Sequence, residues 1–552
     1  TNYIMRAEVR DFFNKYFDDY IIENPLMATF IGIHKYNHLY PNYLLDSEIE
    51  KSKKFDMKYL SETKNLKKKV KDKLSKQDLH FLNLLQSRLE DNMEGYKYPF
   101  YLLPLDHFDN IIIDYIDIAS GKSYFPLKTK KDFQNLITKT KYFLVFCDTI
   151  ICRMREGLSK KITWSKLIMT RCLNQFKDVL KTKDYLLDKD QIPKDLLKDY
   201  LDVMNKKFTK MVNKFIKFLE DEYIPNCHTH LGLKKIPGGN KMYKHLVKSY
   251  TTLKNPNIED IHQLGLKEVT RIDKEIKELF KNSGLERPSP KNFKDYLFKS
   301  KKAVLDDYEE VRKIVNTELL PKYFDIKISH DYLLKKVPKF KEENDAGAYY
   351  MMCSIDNKRK GTFYLNMANL SDHQTFSTMS LSLHEGNPGH HFQLTYANDV
   401  KLPEFVTYCG DETSYVEGWA LYCESLTHDF LKDSKKKKDI MYRFGCYNYE
   451  MMRACRLTVD TGLHYYGWDY KKCFDFMRKY TSFSDNEIEV EIYRYSTYAG
   501  QALSYKIGEL KFKELRDYFL KAKKGGIKDY HKIVVENGAC SMDLLETMIK
   551  NY

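Results

Sequence analysis

Apolar residues recur at steps of three and four through most of this chain, and that spacing suits helices and little else. In LKDYLDVMNKKFTKMVNKFIKFLEDEY (197–223) the spacing places one apolar stripe along an amphipathic helix. KDFQNLITKTKYFLVFCDTIICRMREGL (131–158) and HQLGLKEVTRIDKEIKELFKNSG (262–284) read the same way, the latter stopping on Gly284. The chain is therefore expected to be mainly α, a large helical fold. Only AGAYYMMCSID (346–356) and GTFYLNMA (361–368) have strand character, and they flank the turn-forming NKRKG. They predict a small β-hairpin, one edge of which can accept an extended peptide as a further strand.

Pro237, Gly238 and Gly239 interrupt the helical pattern within KKIPGGNKMY (234–243). The expected division is an N-terminal helical region, 1–235, and a C-terminal region, 236–552, which can still share one continuous fold. Apolar runs such as YFLVFC (142–147) fall far short of the 18 or so residues of a membrane span. A soluble protein with no membrane span is expected. Lys plus Arg exceeds Asp plus Glu by 92 to 77, giving +15. The basic residues are spread along the chain. Runs such as KNLKKKVKDKLSK (64–76) and KDSKKKK (432–438) lack interleaved aromatic residues, so no nucleic-acid partner is expected. The 11 Cys are scattered, with no CxxC pair, which leans towards a reducing, cytoplasmic compartment. The sequence begins at Thr1, so secretion after removal of an upstream signal peptide stays open.

The chemistry concentrates in STMSLSLHEGNPGHHFQLTYAN (377–398), where His384 and Glu385 are followed by His390 and His391. Zinc peptidases commonly carry HExxH, with two His one turn apart on a helix and a Glu that activates water. Here the second ligand position is Pro388. On a regular helix His391 returns to the His384 face about 10 Å further along, too far for one ion. A bulged turn at Pro388-Gly389 can bring His390 round to His384. His390 is favoured over His391 as second ligand, with the choice open on the sequence. YVEGWALYCESL (415–426) offers a third ligand in Glu417, a carboxylate within an apolar run, and Glu424 two turns on as a partner that orients a ligating His. Downstream, EMMRACRLTVDTGLHYYGW (450–468) carries Asp460 and His464, and EIYRYSTYAGQALSYKIGELKFKELR (491–516) carries Arg494, Tyr495, Gln501 and Tyr505. Tyr or His can donate to a developing oxyanion, and Arg can hold a substrate carboxylate. Helix–helix hydrogen bonds would use the same residues equally well.

HEGNPGHH (384–391), EGWALYCE (417–424), RACRLTVDTGLH (453–464) and RYSTYAGQALSYKIG (494–508) stand in this order along the chain. Together they resemble the hallmark motifs of the domain of unknown function 885 family, regarded as zinc-peptidase-like. ENPLMATFIGIHKYNHLYPNYL (23–44) and YKHLVKSYTTLKNPNIEDIHQLGLKEVTRI (243–272) extend the likeness upstream. The resemblance implies a helical metallopeptidase-like fold with a deep channel, Zn2+ on His384, His390 and Glu417, and Glu385 as base. It also makes 236–552 the catalytic region. Two positions depart from the family pattern: Ala499 stands where Pro usually precedes GQA, and GACSMDLL (538–545) replaces GALPL.

The expected function is a zinc-dependent peptidase acting on short peptides, such as a carboxypeptidase or dipeptidase. Metal-activated water would attack with Glu385 as general base. Tyr505, Tyr495 or His464 would donate to the oxyanion. Arg494 and Gln501 would bind substrate, and Glu424, Asp460 and His391 would support the site. A hydrolase of non-peptide amides or esters, or a catalytically silent peptide-binding protein, would use the same residues.

Overall fold

A computed structural model of the chain describes residues 5–70, 73–121, 123–289, 291–339, 342, 347–410 and 412–552. Helices form where the three-and-four spacing lies. The 131–158 pattern occupies Lys130–Lys160, entered through a capping box in which Thr129 and Asp132 each accept the other's backbone N–H. The 262–284 pattern occupies Ile258–Ser283, and Gly284 closes it at φ +69, a conformation glycine adopts without strain. The 197–223 pattern is helical from Leu197 to Asn226, with wider π-type turns at Leu201–Phe208 and Leu219–Tyr223. Among the described residues no helix is long and apolar enough to cross a membrane.

Two compact units divide the chain. The first comprises Thr1–Asp78, Leu85–Met242 and Ser354–Asp356, the second Leu79–Leu84, Tyr243–Cys353 and Asn357–Tyr552. The described part of the first unit is helical with an aromatic core, in which Tyr115 stacks on Phe143 at 3.9 Å.

The second unit carries every residue of the His–Glu constellation. Its principal helices are α1 (Ile258–Ser283), α2 (Thr378–Glu385), α3 (His390–Asp399), α4 (Thr413–Phe430), α5 (Lys437–Thr461), α6 (Asp485–Thr497) and α7 (Gln501–Lys521). Helix α1 lies along α5, and α4 along α7. The α4–α7 approach is set by two glycines. A Cβ on Gly418 would stand 2.4 Å from Gly508 Cα, and one on Gly508 would stand 1.9 Å from the Ser414 carbonyl oxygen. Bare backbone at this crossing brings Glu417, on α4, and Tyr505, on α7, onto adjoining helix segments.

A buried ion cluster ties α1, α5 and α7 together. Lys506, fully buried, reaches Glu509 at 2.5 Å, Glu450 at 2.6 Å and Glu268 at 3.2 Å. Arg271 closes on Glu268 at 2.8 Å and also on Glu450. Burial disfavours the charged ammonium, yet the three carboxylates outweigh it and raise the Lys506 pKa.

The predicted hairpin is present, with shorter strands. β2 (Ala348–Met351) runs antiparallel to β3 (Thr362–Leu365), with Tyr349 opposite Tyr364 and Tyr350 opposite Phe363. Ala346, the first residue of the predicted strand, lies outside the described residues. A third strand, β1 (Leu333–Lys336), pairs parallel with β3 and was not legible in the sequence. The order is β1–β3–β2, which leaves β2 at an edge. Phe363 and Leu365 bury against Val304, Tyr308 and Tyr332.

Candidate metal centre

The histidine-rich segment forms two helices rather than one bulged helix. Helix α2 ends at Glu385, residues 386–389 form a tight connection with a cis Asn387–Pro388 peptide, and α3 starts at His390. This corrects the single distorted helix expected from the sequence. A proline and two glycines within four residues stop the helix outright, because Pro388 lacks the donor that would continue it. The connection folds back onto the end of α2. A Cβ at position 389 would lie 2.0 Å from the His384 carbonyl oxygen, so the approach requires Gly389. Side chains pin the turn: Trp419 Nε1–H donates to the Pro388 carbonyl at 2.9 Å, and Asn387 Nδ2 donates to Asn316 at 2.9 Å and Asp331 at 3.1 Å.

The reversal puts His390 beside His384, their rings 4.8 Å apart and nearly perpendicular. Glu417 reaches both: its Oε2 lies 3.2 Å from His384 Nε2 and 3.5 Å from His390 Nε2. One donor atom from each of His384, His390 and Glu417 lies within 4.8 Å of the others. These three side chains can hold a metal ion. The other nitrogen of His384, Nδ1, lies 2.7 Å from Glu424 Oε1. Glu424 also accepts from the Ser380 hydroxyl, and Arg453 Nη2 stands 3.8 Å away.

The electrostatics favour a cation here. Burial opposes charge on His384, yet its bonds to Glu417 and Glu424 outweigh burial and push the imidazole pKa up to about 10. Burial likewise opposes ionisation of Glu417, but bonds to His384 and His390 hold its carboxyl well below the usual range. Two buried carboxylates thus converge on one imidazole. Two His and one carboxylate form a donor set that suits zinc, with a carboxylate behind one His to fix its tautomer.

His391 is not brought to this group. Its Nδ1 accepts from the Tyr350 hydroxyl at 3.0 Å, and its Nε2–H donates to the His330 carbonyl at 3.0 Å. Burial lowers its pKa to about 4, leaving a neutral ring wedged beside the sheet. Glu385 follows His384 at the end of α2 and is 8% exposed. Among the described residues its carboxylate has no hydrogen-bond or ion-pair partner.

Tyr505 faces the group from α7. Its ring lies 6.4 Å from that of His384 at 17°. Its hydroxyl accepts from Arg494 Nη2 at 3.0 Å and from Gln501 Nε2 at 3.3 Å, and Arg494 Nη2 also donates to Gln501 Oε1 at 3.2 Å. The Arg456 guanidinium lies over the Tyr505 ring at 4.4 Å.

Tyr495 and His464 sit elsewhere in the unit. The Tyr495 hydroxyl donates to Glu491 and accepts from Arg456 Nε at 3.0 Å. Arg456 Nη2 bonds Glu491 at 2.8 Å. Burial opposes ionisation of Glu491, but Arg456 and Arg494 prevail and lower it to about 2. His464 Nε2–H donates to the Tyr495 carbonyl at 2.8 Å and stacks on Tyr243 at 5.1 Å. Asp460 accepts from the Tyr243 hydroxyl at 2.6 Å and from Gly500 N–H at 3.1 Å, so it anchors the entry to α7. Glu491 was not singled out in the sequence. Its spacing from Arg494 and Tyr495, at i+3 and i+4 on one helix face, is the signal that could have found it.

A family model described as "Bacterial protein of unknown function (DUF885)" matches residues 25–549. The fold is similar to "The crystal structure of the putative lipoprotein from Colwellia psychrerythraea". That match has a TM-score of 0.83 and 20% identity over 99% of this chain and 98% of the other. It is also similar to a structure described as a "putative lipoprotein of unknown function from Shewanella oneidensis". There the TM-score is 0.72 and identity 15%, over 99% and 100% of the two chains. At these identities the likeness concerns the fold alone. No curated protein matches the chain.

Proposed function

The chain belongs to the DUF885 family, and from that premise we propose that it is a zinc-dependent peptidase acting on short peptides. One observation carries the reading: His384, His390 and Glu417 converge, with Glu424 behind His384 Nδ1. His384, His390 and Glu417 would hold the ion. A bound zinc supplies Lewis-acid activation of water and polarises the substrate carbonyl.

The remaining steps belong to the protein's own groups. Glu385 adjoins His384 in the chain and holds a carboxylate not committed to another described side chain. It takes the proton of the attacking water and hands it to the departing amine. The Tyr505 oxygen already accepts two hydrogen bonds, from Arg494 and Gln501. Both lone pairs are thereby used, and the phenolic proton is left to donate to the oxyanion. Tyr495 is committed to Glu491 and His464 to a backbone carbonyl, so of the three candidates Tyr505 is the donor.

A peptide substrate is favoured by the sheet edge. Asn366 N–H donates to the Gly347 carbonyl, which makes 347 and 366 a hydrogen-bonded pair. The alternation then turns the backbone groups of Ala348 and Tyr350 away from β3, where an extended peptide can pair with them.

Glu385→Gln tests the mechanism. The variant is expected to retain zinc and lose at least about a hundredfold in kcat on a tetrapeptide, the scale of general acid–base catalysis. Hydrolysis at the wild-type rate with zinc retained would remove Glu385 as the base.

A further inference from the structure

We infer that Arg494 anchors the C-terminal carboxylate of the substrate, so that the protein trims peptides from that end; this rests on the peptidase reading. The guanidinium is held in place. Its Nη2 is shared between Gln501 Oε1 and the Tyr505 hydroxyl, at 3.2 and 3.0 Å. Its side chain is nevertheless 20% exposed, whereas that of neighbouring Arg456 is 3% exposed. The two arginines also stand differently towards Glu491. Arg456 bonds Glu491 Oε2 through Nε at 3.1 Å and Nη2 at 2.8 Å, while Arg494 Nη1 reaches only Oε1, at 4.0 Å. Glu491 is thus chiefly the counter-ion of the buried Arg456. Three guanidiniums, Arg453, Arg456 and Arg494, meet two carboxylates, Glu424 and Glu491, and Glu424 also serves His384. The cluster therefore accommodates one further anion, and Arg494 is the member that solvent reaches.

Position makes that anion a substrate end. Tyr505 stacks with His384 and hydrogen-bonds Arg494, so one ring and one hydrogen bond separate the ligating imidazole from the guanidinium. One to three residues of extended chain, at roughly 3.3–3.6 Å each, cover that path. A carboxylate on Arg494 would place a peptide bond one to three residues from the C-terminus beside Glu385 and Tyr505. Because Arg494 also holds the Tyr505 hydroxyl, occupancy of the anchor and orientation of the oxyanion donor are coupled through one side chain.

Calorimetric titration of zinc-supplemented Glu385→Gln protein with tetra-alanine and its C-terminal amide tests the anchor without turnover. The free acid is expected to bind at least about tenfold more tightly, as loss of a charge-assisted hydrogen bond implies. Adding Arg494→Gln should erase that preference, and Arg494→Lys should keep part of it should the first variant fail to fold. Equal binding of acid and amide, or binding of neither, would overturn the inference. So would equal binding of an amide ending in Glu, since the anchor would then read side chains. Wild-type hydrolysis is scored separately: cleavage of acid and amide at equal rates also overturns the inference. Cleavage of neither, with the binding preference intact, removes the peptidase reading and leaves the anchor.

Discussion

Glu424 Oε1 lies 2.7 Å from His384 Nδ1, while His384 Nε2 faces Glu417 at 3.2 Å. A helix-borne carboxylate thus fixes which imidazole nitrogen is left for a metal. Replacing Glu424 by Gln keeps the size of the side chain and removes its charge. Zinc affinity is expected to fall roughly 10- to 100-fold, the usual effect of losing such a partner, with helicity unchanged by circular dichroism. Competition titration against a chelator measures it. A change below about threefold would mean that Glu424 does not tune the site.

Lys506 predicts a different outcome, because it touches no candidate ligand. Lys506→Met would leave Glu268, Glu450 and Glu509 without the ammonium that all three share. Breaking a buried ion cluster from one side costs about 3–5 kcal/mol. Urea unfolding should show that loss as a lowered midpoint. A midpoint equal to wild type would show that Arg271 and Lys513 suffice for the three carboxylates.

Asp460 gives a pH signature. Burial holds its carboxyl up to about 7 against an ordinary 3.8, outweighing its bonds from Tyr243 and Gly500. The folded state therefore retains this proton where the unfolded chain has lost it. The stability linked to the proton is full below pH 4, declines as pH rises towards 7, and is gone above that. Asp460→Asn removes the titration. Between pH 4 and 8 the variant should gain on wild type by on the order of 1 kcal/mol or more. Denaturation at both pH values checks it, and a constant gap between the two proteins would contradict it.

These readings depend unequally on sequence. Helices such as Lys130–Lys160 and Ile258–Ser283 were legible because periodicity, caps and a terminal glycine agree. The interruption at Pro388-Gly389 was also legible, but its form was not. Spacing along one axis cannot show that the chain stops and doubles back onto Leu383 and His384. β1 escaped notice because LLKK is short and largely exposed, without the alternation that marks a strand. Tyr495 and Tyr505 looked equivalent in sequence. Glu491, one turn before Tyr495, occupies its hydroxyl, while Arg494 and Gln501 leave the Tyr505 proton free to donate. Only the packing of α5, α6 and α7 separates them.

The adjacent pair His390 and His391 offers the most direct test of the proposed centre. His390 lies 3.5 Å from Glu417, whereas His391 is bonded to Tyr350 and His330. Zinc titration of wild type, His390→Ala and His391→Ala, each confirmed folded, separates them in one experiment. The account predicts one tightly bound zinc per chain in wild type and in His391→Ala, and at least about a hundredfold weaker binding in His390→Ala. Absence of stoichiometric zinc from the wild-type protein, or its loss from His391→Ala but not from His390→Ala, would contradict it.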